Sequence, residues 1–264
     1  MGRMAEQVNV NPLEQQEEGM TLLDHMRELR ERLFKSVVAI VIGAAVGLMF
    51  SNQILHLLIL PYGSKIVTIA PTETLTNTFV VSLTFGAALA MPVVIYQILA
   101  FVMPGLLPNE KRWVLIGVPV ATSLFVIGAI FAWFIMLPPA IGFLTTINTD
   151  VFDVQLRADD YIPFVTGVLF WIGVAFEMPV VIFVLAKFNV ITARVLARQW
   201  RYAVVFIAVL AALITPTPDP VNMSIVMAPL FVLYGVSIVM AAIARRGATT
   251  PAILDPDEPT KETK

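Results

Sequence analysis

The stretch TLLDHMRELRERLFK, Thr21–Lys35, runs straight into SVVAIVIGAAVGLMFSNQILHLL, Ser36–Leu58, and this junction decides how the chain folds. Thr21 with Asp24 three residues on is a capping-box pattern and predicts a helix start. Leu22, Met26, Leu29 and Leu33 recur at helical spacing as one apolar stripe, while Asp24, Glu28, Glu31 and Arg32 fall on other faces. Arg27, Arg30 and Lys35 surround them. Such a helix suits a membrane surface. The run after it carries no Asp, Glu, Lys or Arg and reaches the roughly 20 residues that cross a bilayer as a helix. The expectation is an interfacial helix that leads into a first membrane span.

Composition agrees. The chain has 264 residues, 58% hydrophobic and only 14% charged, against roughly 25% charged in soluble proteins. It is expected to be an all-α polytopic membrane protein. The formal charge of -2 identifies no partner, because acidic and basic residues are segregated along the chain. The absence of cysteine excludes disulfides, thiolate metal sites and cysteine nucleophiles. Residues 1–20 are polar and acidic, without the apolar core of a signal peptide or the Arg- and Ser-rich character of a transit peptide. A bacterial or archaeal cytoplasmic membrane is the expected location.

Working outward, residues 1–20 read as a disordered tail, 21–246 as the membrane domain and 247–264 as a second, Pro-rich disordered tail. The first span, about 36–58, carries Gly43 and Gly47 at GxxxG spacing, which lets another helix approach closely. The second, about 78–101, contains Pro92; the third, about 114–137, is closed by Pro138 and Pro139. An acidic loop with Arg157 as its sole base precedes the fourth, about 162–185. The fifth and sixth, about 202–214 and 223–244, are expected to be short, and the sixth contains Pro229. The fifth, at about 1.5 Å per residue, covers roughly 20 Å of a roughly 30 Å core. Either the bilayer thins around the turn Thr215–Pro220, or the helix extends inward to Ala193 with Arg198 and Arg201 snorkelling.

Twelve basic residues, from Arg27 to Arg246, fall on one side of these spans, and only Lys65 and Arg157 fall on the other. Six spans with both termini cytoplasmic satisfy that bias.

The inventory argues against an enzyme. His25 and His56 lie near opposite faces, and neither a Walker A nor an HExxH pattern is present. No metal, cofactor or nucleic acid is expected. Glu177 is the one carboxylate well inside a span; it is either a partner or proton site, or a protonated acid hydrogen-bonded in the packing. A small ion-coupled transporter using Glu177 is the rival reading, although no convincing internal repeat supports it. Glu28 can pair with Arg32 at i,i+4, and Glu110 can cap the third span, so each has a structural explanation.

Four segments carry a resemblance that changes their weight. HMRELRERL (His25–Leu33), AFVMPGLLPNEKR (Ala100–Arg112), IGVAFEMPVV (Ile172–Val181) and LITPTPDP (Leu213–Pro220) resemble, in order and spacing, the signature segments of TatC, the polytopic subunit of the twin-arginine protein translocase. The resemblance implies a glove-shaped six-helix bundle that exports folded proteins on the proton-motive force. Its implied partners are TatA- and TatB-type single-span subunits, twin-arginine signal peptides, the lipid bilayer and further copies within a multi-subunit complex. By the same resemblance Glu28 and Glu110 match the acidic residues that recognise the paired arginines. Arg30, Phe101 and Pro104 match other positions of that surface, and Pro61 and Asp219 match outer-loop positions. Glu177 matches the buried fourth-helix glutamate, and Met223 stands where many relatives carry glutamine. Two neighbouring guanidinium groups call for separate carboxylates, which arginine engages bidentately as lysine does not.

Overall fold

The computed structural model describes residues 22–63, 66–102, 111–146, 155–188, 190–215 and 220–245. Both expected tails, Thr21, Pro104, Glu110 and Asp219 lie outside the described residues. Among those described, the chain is helical throughout: α1 (Leu22–Met49), α2 (Ser51–Ile59), α3 (Pro71–Val102), α4 (Lys111–Phe131), a π-helical turn (Ala132–Met136), α5 (Leu137–Thr146), α6 (Ala158–Phe176), α7 (Met178–Lys187), α8 (Ala193–Arg198), α9 (Trp200–Ile214) and α10 (Pro220–Arg245). Five helical stretches are long and apolar enough to cross a membrane, and α9 is a shorter apolar sixth.

The opening segment differs from expectation. Leu22–Lys35 forms no separate interfacial helix; it continues the first span as one 28-residue helix, about 42 Å long. The stripe of Met26, Leu29 and Leu33 is exposed, whereas Glu28, Arg32, Ser36, Gly43 and Gly47 occupy the more buried flank at intervals of three to seven residues. Of the charged positions, Glu28 and Arg32 lie on this flank, while Asp24, Arg27, Arg30, Glu31 and Lys35 are exposed like the apolar stripe.

α1 makes its most extensive contacts with α3. A Cβ added at Gly43 would overlap the Gly86 backbone, and one added at Gly47 would lie 2.5 Å from the Ser82 carbonyl oxygen. The GxxxG spacing therefore marks a real close approach. The pairing of 43 with 86 and of 47 with 82 also fixes an antiparallel register.

The third span is not closed by Pro138 and Pro139: helix continues from Lys111 to Thr146. Neither proline can donate a backbone N–H, and each ring crowds the carbonyl four residues back. The π turn lies directly before them, and its wider winding lets the helix run through. The second span likewise begins earlier than expected, at Pro71, a favourable first helical residue. Helix α10 has 26 residues and is continuous through Pro229; it contains the apolar stretch Met223–Ala244 expected for the sixth span, which is not short, whereas α9, with 15, is a short span. The inward extension of the fifth is partly realised: α8 covers Ala193–Arg198, but Gln199 leaves helical geometry before α9 starts.

At the end of the bundle away from the arginines, the loops are stitched together. Val67 donates to the Leu156 carbonyl at 3.2 Å, and Ala158 donates back to Val67 at 2.9 Å. Arg157, the lone base of the acidic loop, donates to Glu73 at 2.7 Å, and Glu73 also accepts from the Ile69 N–H at 3.1 Å. That carboxylate holds the guanidinium above its already high ordinary pKa. Tyr161 donates its hydroxyl to the Leu58 carbonyl at 2.9 Å, satisfying the last turn of α2. Pro61 follows in a turn that ends at Gly63, whose φ of 73° is the left-handed conformation glycine tolerates. The main core, including Leu137, Val165, Ile172, Ile207 and Leu230, lies among α5, α6, α9 and α10. Val41, Ile42, Phe134, Phe206, Leu213 and Val232 remain exposed on the outer faces, where lipid covers them.

Candidate receptor surface

A polar packed seam lies where the charged end of α1 meets the last turns of α3. Glu28 Oε1 accepts from Arg32 Nε at 2.9 Å and also from Arg32 Nη2, so the i,i+4 ion pair exists. In an isolated helix a pair of this type contributes only about 0.2–0.5 kcal/mol. Glu28 Oε2 is in a different position. It is shielded from solvent and has no hydrogen-bond partner among the described residues, with His25 Nδ1 4.0 Å away. His25 stacks on Phe101 with ring centroids 4.2 Å apart and planes 21° apart. The stack joins the start of α1 to the end of α3, and His25 links Phe101 to the turn that carries Glu28. Arg30 is exposed and turned away from this seam.

Glu110 and Pro104 belong to the segment 103–110 between Phe101 and α4, outside the described residues, so their distance from Glu28 has no value. His25 was missed as a site residue by sequence reasoning, which used it only to exclude an enzyme. Its place three residues before Glu28, on the same side of a helix, was the available signal. His56 is in α2, at the far end of the bundle.

Glu177 is not within a continuous helix. It caps the C-terminus of α6 and the N-terminus of α7, with Pro179 buried in the next turn. Its N–H donates to Val174 at 3.0 Å, and its carbonyl accepts from Val180 and Val181 at 3.0 and 3.1 Å. Its Oε1 is shielded and without a partner. The hydroxyl expected under the packing alternative is therefore absent from Oε1. Met223 is partly buried against the main core, where a thioether packs and a glutamine would need partners. Pro61 lies in the turn after α2, remote from the Glu28 seam. Asp219 is outside the described residues.

This fold, with its apolar exterior, the inward Glu28–Arg32 flank of α1 and a broken fourth span, defines a multi-pass helical membrane protein. The chain belongs to the TatC family: the model of the Sec-independent protein translocase protein (TatC) matches residues 24–229. The TatC protein of Carboxydothermus hydrogenoformans is 36% identical over 84% of this chain and 93% of its own length. That of Aquifex aeolicus is 37% identical over 86% of this chain and 97% of its own. A crystal structure of the twin-arginine translocase receptor TatC is similar in fold, with a TM-score of 0.77 at 36% identity, covering 84% of this chain and 100% of that one.

Proposed function

We propose that this chain is the core receptor subunit of a twin-arginine translocase, binding twin-arginine signal peptides at the cytoplasmic face through Glu28 and Glu110. As a TatC-family chain it is a component of a Tat translocase that works with other Tat components, here TatA- and TatB-type single-span subunits. Together they export folded proteins on the proton-motive force, without an enzymatic step. Both termini are cytoplasmic and the address is a bacterial or archaeal cytoplasmic membrane, in keeping with the Lys/Arg bias.

One observation carries the receptor reading: a carboxylate on the packed flank of α1 has one oxygen engaged by Arg32 and the other shielded without a donor. An ionised carboxylate accepts at about four lone-pair sites, so Glu28 has capacity for a guanidinium. The experiment is crosslinking of a twin-arginine precursor to Glu28→Gln and Glu110→Gln in membranes. Each substitution removes the charge with little change of shape, and each should cut crosslinking about tenfold or more while insertion is unchanged. Undiminished crosslinking in both variants overturns the receptor assignment. The ion-coupled transporter reading of Glu177 is not favoured, since the family and its solved relatives are protein translocase components.

A further inference from the structure

Gln97 sits in the apolar run IYQILAF of α3, and its side-chain oxygen is shielded from solvent with no hydrogen-bond partner. Its place on the helix is fixed by the packing of α1. Ser82 and Gly86 are the α3 residues against Gly47 and Gly43. Eleven residues beyond Gly86, three helical turns, Gln97 returns to the same face. One further turn along, Phe101 stacks on His25. The antiparallel register set by these contacts brings Gln97 level with the Glu28–Arg32 turn.

The seam therefore holds two shielded acceptors, Glu28 Oε2 and Gln97 Oε1, and among the described residues neither has a donor. The nearest cation, Arg32, directs its Nε and Nη2 to the other oxygen of Glu28. A buried acceptor without a donor is costly, and such groups in a packed seam point to a ligand that brings the donors. The ligand must be cationic to suit Glu28. It must also offer several N–H groups in a fixed planar fork to reach acceptors on two different helices. A guanidinium does both, with five N–H donors. An ammonium is a compact charge that satisfies Glu28 but has no fork to span the seam.

We propose that Gln97 is a specificity-determining residue of the signal-peptide site: Glu28 neutralises a guanidinium while Gln97 Oε1 takes another N–H of the same pair of arginines. Glu28 thus selects for charge, and Gln97 for arginine over lysine. The inference rests on the receptor reading above. The His25–Phe101 stack closes one side of the seam and acts as a positioning contact.

The test uses the full-length chain in membranes with its partner subunits, measuring capture of a twin-arginine signal peptide and of its Lys-Lys version. Gln97→Leu keeps the size and removes the acceptor, Gln97→Met is a second apolar replacement, and Gln97→Glu keeps an acceptor. With either apolar variant, twin-arginine capture falls about tenfold and Lys-Lys capture changes far less, so the Arg-over-Lys preference collapses. Gln97→Glu retains the preference. If both apolar variants keep the preference while Glu28→Gln loses capture, the inference about Gln97 is overturned and the receptor reading stands. An equal fall for both peptides assigns Gln97 a structural role and likewise overturns it. If neither Glu28→Gln nor the Gln97 variants alter capture, the receptor reading itself fails.

Discussion

Glu28 shows how far a single side chain can be read in sequence. Its ion pair with Arg32 was legible, because i,i+4 spacing on a helix puts the two within reach, and the structure contains that pair. What was not legible is that the second oxygen stays shielded and without a partner, which depends on α3, about seventy residues away in sequence. Glu177 shows the same division. A carboxylate in an apolar run was conspicuous, but its position at a break between α6 and α7 depends on Pro179 and local backbone geometry. A helix break frees polar backbone groups in a setting where lipid satisfies none of them. We propose that Glu177 docks a partner helix carrying a polar residue within the membrane. Glu177→Ala should therefore reduce co-purification of the single-span partners and lower export, with the bundle still inserted. Intact co-purification and intact transport together would return Glu177 to a packing role.

Among elements, the α1–α3 pair is the most closely determined. Gly43 and Gly86 meet backbone to backbone, so a side chain at either position has no flexible neighbour to displace. Gly86→Val should lower stability by about 1–3 kcal/mol as the helices are forced apart, measured by thermal unfolding in detergent. Gly142→Ala in α5, where a Cβ meets nothing within 4 Å, should be neutral or stabilising by up to about 1 kcal/mol. Comparable losses in both would mean that close approach is not what holds α1 to α3. The GxxxG spacing announced this contact from one helix, but its partner was not named, although Ser82 and Gly86 stand at the same small-xxx-small spacing on α3. The prolines were harder still. Pro138 and Pro139 read as a helix stop, yet the preceding π turn carries the helix to Thr146, a tertiary solution that composition does not reveal. The outer stitching of Glu73 to Arg157 was equally hidden, although Arg157 alone in an acidic loop was a hint that it serves a distant carboxylate.

For the whole molecule, hydropathy and the distribution of Lys and Arg were enough for an all-α membrane protein, because lipid leaves helices as the simplest way to satisfy the backbone. The inward placement of Glu28 and Arg32, with the apolar stripe outward, required the packed structure. It turns Leu22–Lys35 from a surface anchor into part of a 28-residue helix whose charged end carries the candidate receptor seam. The 15-residue α9 covers only about 22 Å, so the membrane thins around it or its ends are sheltered, a feature suited to passing folded cargo. All of this bears on one claim, that the seam selects paired arginines by carboxylate geometry and not by positive charge alone. The most direct measurement is pull-down by the intact chain of a twin-arginine precursor against the same precursor with both arginines changed to lysine. Retention of the twin-arginine precursor, with the Lys-Lys version reduced about tenfold or more, is the predicted result. Equal retention of the two contradicts it.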